Sequence, residues 1–273
     1  MSNNPGALPN VIITRFSFIG NSGWKIPVAD REKILFDPAR LEMRLWLFER
    51  VTLASLLAQS DQGFHHYILT SDQLPDWALQ RLSAICAQSY PADRFTIDRQ
   101  PTGNARKFLR KFMVGQRYGS HVVQIVLDDD DGLASDFIQT VAQKLTIAAE
   151  DGSFGPDTRP YFLSFSRGYG LVFSDLASRQ PEVFLHRYPY INLGLTMVDA
   201  PDAPNILAID HLSSPKKAGC VALDGAPMFV RSVHGFNDSR VAQSERWKQV
   251  PGGPSDPALA PRFPFLGALH GQA

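Results

Sequence analysis

Four consecutive aspartates, at positions 128–131, are the residues of this sequence whose type and spacing most clearly indicate chemistry. Adjacent carboxylates repel one another, and a divalent cation can compensate them because hard cations prefer oxygen ligands. Magnesium commonly takes one or two carboxylates together with phosphate oxygens and water. The run therefore predicts a site for a divalent metal, manganese or magnesium, and for a nucleotide diphosphate. The alternative is a solvated acidic turn in which one aspartate caps the next helix.

Each aspartate of this run has a predicted place. Side chains alternate along an extended strand, which would put Asp128 and Asp130 on one side and Asp129 and Asp131 on the other. We expect Asp130 to bind the metal, Asp128 to bind the metal or the ribose, and Asp129 to belong to the nucleotide-binding set. Arg15 interrupts an apolar strand, so its charge needs a ligand or one of these carboxylates as a partner.

The strand that leads into the aspartates must position them. Residues 121–127 form the most continuous apolar run, which is typical of a central strand buried on both faces. Open α/β sheets bind ligands at the carboxyl ends of such strands. Strands and helices alternate over about residues 1–150, which predicts an α/β fold with a doubly wound, mostly parallel sheet. The predicted strands are 11–16, 66–70, 95–98 and 121–127, and the predicted helices are 38–59, 75–86, 104–118 and 134–150.

The second half has a different pattern. Short apolar segments separated by Pro, Gly, Asp and Asn predict a mixed, partly antiparallel extension of the sheet over about residues 151–250. The predicted strands are 161–166, 171–173, 190–198, 206–209, 219–223 and 228–233, with a hairpin turn at 167–170. Repeated prolines then predict a C-terminal tail, residues 251–273, that either wraps around the domain or is disordered.

Composition excludes several classes of protein. Lys plus Arg equals Asp plus Glu at 27 each, so the chain lacks the positive field of a non-specific nucleic-acid binder, and no nucleic-acid partner is expected. The 2 cysteines exclude a disulfide framework and a four-cysteine zinc site. No apolar run reaches the roughly 18–20 residues of a membrane span, and the sequence begins without the pattern of a signal peptide. We expect a cytoplasmic protein with at most peripheral contact with the inner face of the membrane.

Three segments carry a resemblance to a known family. They are VIITRFSFIG, LFDPARLEMRLWLFERVTLASLLAQSDQGFHHYIL and IVLDDDDGL, with a weaker continuation to MFVRSVHGFNDS. The sequence resembles the rhamnosyltransferase family of bacteria, which are glycosyltransferases of the GT-A type. The resemblance implies a single GT-A-like catalytic domain over residues 1–250, with a donor-binding half at about 1–150 and an acceptor- and metal-completing half at about 151–250.

The resemblance also implies ligands. The donor would be a nucleotide-diphosphate sugar, with rhamnose given by the family name alone. The acceptor would be a saccharide or a lipid-linked saccharide in surface polysaccharide synthesis. In GT-A enzymes a late histidine often completes the metal site, and His234 is the candidate here, with His211 as the alternative. Arg106 and Lys107, near the start of a predicted helix, are candidates for holding donor phosphates, whereas the alternative for both is a solvated helix face.

A transfer that inverts the anomeric centre needs a carboxylate to take the proton of the acceptor hydroxyl. Asp131, Asp175 and Asp210 are the candidates, and Asp210 is preferred because it follows a predicted strand. A reaction that retains the configuration needs no base at that place.

Two other classes stay open on the sequence alone. Phosphatases with an aspartate nucleophile place Asp-x-Asp-Gly-Thr after an apolar strand, and residues 129–133 match this pattern except that Leu133 replaces the threonine. The other class is a non-catalytic module that binds a cation or a carbohydrate, since a fold alone does not establish turnover.

Overall fold

The structure is a computed structural model that describes residues 8–20, 28–155, 160–175, 177–237 and 247–270. The strands are β1 (Asn10–Phe16), β2 (Phe64–Ser71), β3 (Phe95–Gln100), β4 (Val122–Val126), β5 (Gly132–Leu133), β6 (Tyr161–Leu163), β7 (Arg167–Val172), β8 (Glu182–Arg187), β9 (Thr196–Asp199), β10 (Phe229–Val233) and β11 (Lys248–Gln249). The α-helices are α1 (Val28–Leu35), α2 (Pro38–Leu47), α3 (Ala54–Leu57), α4 (Asp76–Ser89), α5 (Ala105–Gly115), α6 (Phe137–Glu150) and α7 (Ser214–Lys217). A π-helix (Phe48–Leu53) joins α2 to α3, and 3-10 turns lie at Ile206–Ala208, Gly253–Ser255 and Pro264–His270.

The first sheet has the strand order β3-β2-β1-β4-β9-β6. Strands β1 to β4 are mutually parallel, as predicted, whereas β9 and β6 are added in antiparallel pairs. Alternate residues of β1 enter two different cores. Ile12 and Phe16 pack with apolar side chains of α2, α4 and α6, and Val11 and Ile13 pack with those of α5. Helices therefore cover both faces of the parallel strands.

The second sheet corrects the prediction of one extended sheet. Only β9 and β6 extend the first sheet, and the other strands of the second half form a separate sheet with the order β11-β8-β7-β10-β5. Residues 167–170 belong to β7 and form no hairpin turn. A Cβ atom added at Gly168 would lie 2.4 Å from the Phe229 ring, and one added at Gly170 would lie 2.4 Å from Trp247. These glycines therefore allow close packing against a strand and are not turn residues.

Other predicted strands of the second half were also wrong. Residues 206–209 contain a 3-10 turn, which the Asn205 side chain caps by accepting from the backbone N–H of Leu207. Residues 219–223 contribute only an isolated bridge, between Leu223 and Phe165. Strand β8 was not predicted, and it forms through antiparallel pairing with β7.

The C-terminal residues that the structure describes pack into the main core. Leu259, Phe263 and Leu266 are buried in the same apolar cluster as the strands of both sheets. The backbone N–H of Ser135 donates to the carbonyl of Arg262 at 2.7 Å. The last three residues of the predicted tail, 271–273, lie outside the described residues. Among the helices of the described ranges, none has the length and apolar character needed to span a membrane.

Candidate active site at the end of β4

The aspartate run, here called the acidic loop (residues 128–131), follows β4 and precedes β5. Asp129, Asp130 and Asp131 are buried, and only Asp128 is partly exposed. This burial contradicts a solvated acidic turn. The predicted alternation of sides was also wrong, since Asp129 and Asp130 both contact one side chain, Arg44. The reason is local: β4 ends at Val126 and the backbone turns at positions 129–130, where strand periodicity no longer applies.

Arg44 lies in the last turn of α2 and is buried against the acidic loop. Its Nε donates to Oδ2 of Asp129 at 3.1 Å and its Nη2 donates to Oδ1 of the same carboxylate. Its Nη1 donates to Oδ2 of Asp130 at 2.5 Å. Sequence reasoning missed this residue. The signal was present, because Arg44 occupies the i+3 position of the buried stripe formed by Leu41, Leu45 and Phe48, where a charge needs a partner.

The local sequence fixes where α2 begins and how it continues. Asp37 caps it by accepting from the backbone N–H of Arg40 at 2.9 Å, and Pro38 fills its first turn. The π-helix that follows brings a second residue to the acidic loop, because Thr52 Oγ1 donates to the Asp128 carbonyl at 3.4 Å. An uninterrupted α-helix would turn by about 800° between Arg44 and Thr52, roughly 80° beyond two full turns. The wider π turns reduce this rotation, so both residues reach one loop.

The residues after β10 complete the surroundings of Asp130. His234 Nε2 lies 2.9 Å from Asp130 Oδ2, and Asn237 Nδ2 donates to the same oxygen at 3.0 Å. The backbone N–H of Phe236 donates to His234 Nδ1 at 3.2 Å, so the neutral ring carries its proton on Nε2 and donates it to Asp130. The structure thus brings His234 to Asp130, as the resemblance implied. Asp130 is the point where α2, the acidic loop and the end of β10 meet.

Asp131 connects the acidic loop to the second sheet. Its Oδ1 accepts the backbone N–H of Ser232, in β10, at 2.8 Å. Burial, followed by repulsion from Asp130, raises the pKa of Asp131 well above its ordinary value. A buried carboxyl group that is bonded to a strand acts as an anchor, and this geometry gives no support to its predicted role as a base.

The charges of the other buried aspartates differ. Burial raises the pKa of Asp129 to about 7, although Arg44 opposes the rise. Burial also disfavours the charged form of Asp130, but the charge of Arg44 and the hydrogen bond from His234 outweigh it, so the pKa of Asp130 lies below its ordinary value. Asp130 is therefore the carboxylate of the loop that is buried and held ionised.

The outer part of the site contains Arg15 and Asp128. Arg15 Nη2 lies 3.5 Å from Asp128 Oδ1, with 46% of the arginine side chain and 37% of the aspartate side chain exposed. Asp128 is therefore the partner of Arg15, and a carboxylate of this loop was one of the two partners predicted for it. Arg106 and Lys107 are exposed in the first turn of α5, on the other face of the first sheet from α2. A bridge between Gly103 and Gly20 places this first turn beside the loop that follows β1.

The remaining predicted residues lie in different surroundings. Asp210 accepts the backbone N–H groups of Leu212 and Ser213, at 2.8 and 3.0 Å, and so caps the turn before α7. His211 Nδ1 lies 2.9 Å from the carbonyl of Tyr190, so the structure does not bring His211 to the aspartates. Asp175 is exposed just beyond β7, which runs parallel to β10 with Val172 opposite Val233. It therefore lies at the same sheet edge as His234.

The ligand types at Asp130 fit an open site for a divalent cation. A carboxylate and an imidazole are in contact, and Mg²⁺ or Mn²⁺ would complete its coordination with diphosphate oxygens and water. No group of three His, Cys, Asp or Glu side chains that could hold a metal ion is found among the described residues, so the protein would supply an incomplete shell. Ligation by His234 Nε2 would require this nitrogen to release its proton.

Comparisons with known proteins bear on the identity of the chain. Among solved structures, S. aureus TarS is 13% identical, with 83% of this chain and 37% of that chain covered and a TM-score of 0.40. A TarS chain described as 1-349 is 12% identical, with 82% and 60% covered and a TM-score of 0.40. HddC from Yersinia pseudotuberculosis is 11% identical, with 82% and 89% covered and a TM-score of 0.27. This chain thus spans less than two thirds of either TarS chain, and these similarities carry no further argument.

The family comparison is more extensive. A search of curated proteins finds no match. A family model described as "Putative rhamnosyl transferase" matches residues 10–246, from the first residue of β1 to just before β11. The match includes the acidic loop, Arg44 and His234. It confirms the resemblance seen in the sequence, and the chain therefore belongs to this family of glycosyltransferases.

Proposed function

We propose that the chain is a metal-dependent glycosyltransferase of the GT-A type. It would move a sugar, rhamnose by the family's description, from a nucleotide-diphosphate donor to a saccharide or lipid-linked saccharide acceptor of surface polysaccharide synthesis. The observation that carries this proposal is the 2.9 Å contact between Asp130 and His234. It joins the end of β4 to the end of β10 at the edge where open α/β sheets bind ligands.

Each residue of the site has a proposed part in binding. Asp130 and His234 would hold the manganese or magnesium ion. When bound, such an ion offsets the negative charge that develops on the departing diphosphate. Arg15 and Asp128, both partly exposed, would contact the nucleotide, which also supports the prediction for Asp128. Arg106 and Lys107 face solvent at the start of α5, close to the loop after β1, and we assign them to the donor phosphates.

If the reaction inverts the anomeric centre, we assign the base to Asp175. Asp131 is buried and bonded to Ser232, and Asp210 accepts two backbone N–H groups in capping a turn, whereas Asp175 accepts one, from Ala177. Asp175 is exposed at the same sheet edge as His234. Asp175→Asn should abolish most transfer while keeping donor binding, and Asp210→Asn should retain transfer. The reverse result would return the base to Asp210.

The proposed function can be tested with a thermal-shift panel of nucleotide sugars, each with Mn²⁺, with Mg²⁺ and with a chelator. A donor that binds the native state raises the unfolding temperature, and we expect this rise only with metal present. Asp130→Asn should lose the rise. Asp224→Asn, which changes a partly exposed carboxylate paired with Arg187, is the matched control and should keep it.

The same panel distinguishes turnover from binding alone. Release of the nucleoside diphosphate in the presence of a saccharide acceptor, measured by a coupled assay, identifies a transferase. Binding without release would indicate a non-catalytic module, and full activity in excess chelator would remove the metal from the proposal.

A further inference from the structure

We propose that Arg44 is a positioning residue that acts through Asp130: its guanidinium fixes the direction in which this carboxylate faces His234. This inference rests on the proposed function, because it concerns how Asp130 is prepared to bind a divalent cation. It adds a residue from a distant part of the chain to the site, since Arg44 and Asp130 are 86 positions apart.

The geometry of the guanidinium supports a role in direction as well as in charge. Arg44 forms a two-pronged pair with Asp129, using Nε at 3.1 Å and Nη2. The guanidinium is planar and rigid, so these two bonds determine where its third nitrogen, Nη1, must lie. Nη1 donates to Asp130 Oδ2 at 2.5 Å. Asp129 therefore orients Arg44, and Arg44 in turn orients Asp130.

The two aspartates are not equivalent in this arrangement. Both oxygens of Asp129 are engaged by Arg44, and its side chain is fully buried. The Asp130 oxygen that Arg44 contacts also faces His234 and Asn237, which follow β10 of the second sheet. Asp129 thus belongs to the support of the site, and Asp130 is the carboxylate presented to a ligand. Groups that orient a metal-binding carboxylate from behind typically change metal affinity about 10–100-fold when they are removed.

Direction and charge make different predictions for one substitution. Arg44→Lys keeps the positive charge but cannot reproduce the planar set of three N–H bonds. If Arg44 only balanced charge, the Lys variant would bind metal like the wild type. If Arg44 positions Asp130, the Lys variant binds metal more weakly.

The test measures Mn²⁺ binding to the full chain by calorimetry or by electron paramagnetic resonance. We expect Arg44→Lys to weaken Mn²⁺ binding about 10–100-fold. Arg81→Lys is the matched control, because Arg81 is an arginine paired with a carboxylate, Glu42, at 2.5 Å on the protein surface. Its Mn²⁺ affinity should equal that of the wild type. Near-ultraviolet circular dichroism selects variants with the native fold, and either Arg44→Lys or the rescue of Arg44→Ala described below decides the question.

The outcomes separate this inference from the proposed function. Wild-type affinity in Arg44→Lys would overturn the positioning role alone. If the wild-type chain binds no Mn²⁺ with or without a nucleotide sugar, the metal site and the positioning role both fail. A readout independent of turnover is guanidinium rescue: methylguanidinium should restore Mn²⁺ affinity to Arg44→Ala, and methylammonium should not.

Discussion

Mild acid should destabilise this protein through His66, which lies beneath the helix that carries Arg44. The ring is fully buried, its Nε2 lies 2.9 Å from Thr14 Oγ1, and it stacks on Phe48 at the start of the π-helix. Burial lowers the pKa of His66 from 6.5 to about 3. Below pH 6.5 the ring therefore takes up a proton in the unfolded chain but stays unprotonated in the folded chain. Stability that is present above pH 6.5 is lost as the pH falls towards 3.

The size of this loss follows from the two pKa values. A pH of about 5 lies roughly 1.5 units below the pKa of the ring in the unfolded chain. At about 1.4 kcal/mol per unit, the free energy of unfolding falls by about 2 kcal/mol. Urea unfolding at about pH 7.5 and at about pH 5 gives the loss of unfolding free energy on acidification for the wild type and for His66→Gln. The contribution of His66 is the difference between these two losses. Other titrating groups are common to both proteins and cancel. His186→Gln is a second case of similar size, because burial lowers the pKa of His186 to about 4.

The variant defines what would refute this reasoning. Gln retains a side-chain amide that can hydrogen-bond to Thr14 but has no proton to take up. If the free energy of unfolding of His66→Gln falls with pH as steeply as that of the wild type, the buried ring does not control the acid response. The same result for His186→Gln would refute the assignment for His186.

Two further predictions concern the packing of Gly132, which follows the acidic loop, and of Phe263 in the C-terminal residues. Gly132→Ala should destabilise the chain by about 1–3 kcal/mol, because its Cβ would lie 3.0 Å from both Phe265 and Val230. The control is Gly115→Ala, whose Cβ would meet no atom within 4 Å and which should not destabilise the chain. Chemical denaturation of the two variants measures the difference, and equal stabilities would contradict the tight packing. Phe263→Ala should lower the free energy of unfolding by about 3–5 kcal/mol. The control is Val221→Ala, at an exposed position, which should change it by no more than about 0.5 kcal/mol. An unchanged unfolding midpoint for the Phe263 variant would show that the C-terminal residues do not contribute to the core.

The first half of the fold could be predicted because its signals are local. Asp37 followed by Pro38 marks the start of a helix, and α2 begins at Pro38 with Asp37 as its cap. The apolar strand before the aspartates corresponds to β4. A central parallel strand is apolar on both faces, so its composition alone identifies it.

The second half could not be predicted in the same way, because its strands depend on distant partners. Gly168 and Gly170 indicate a turn when they are considered alone, yet both lie in β7 because the Phe229 and Trp247 side chains fill the space above them. Nothing near position 168 in the sequence specifies the bulk of residue 229. The boundary between one sheet and two is likewise a property of long-range pairing, which residue patterns in one segment do not contain.

The candidate site also contains residues that the sequence predicted and one that it did not. The aspartates were predicted from their own sequence, and His234 from the family resemblance. Arg44 was not predicted, since its pairing with Asp129 joins residues 85 positions apart. A charged residue at a position of the buried stripe of α2 was the available signal, and it indicates a need for a partner without identifying it.

The ionised state of Asp130 favours a ligand over a purely structural role for the acidic loop. Asp129 occupies two of the nitrogens of Arg44, and the charges of Arg44 and Arg40 act on both Asp129 and Asp130. Asp130 is a buried carboxylate that is held ionised although burial disfavours its charge. Folding gains little from such a group, because an apolar side chain of similar size would avoid the desolvation cost. An ionised carboxylate that is buried, oriented by Arg44 and in contact with a histidine is instead the arrangement expected where a cation binds.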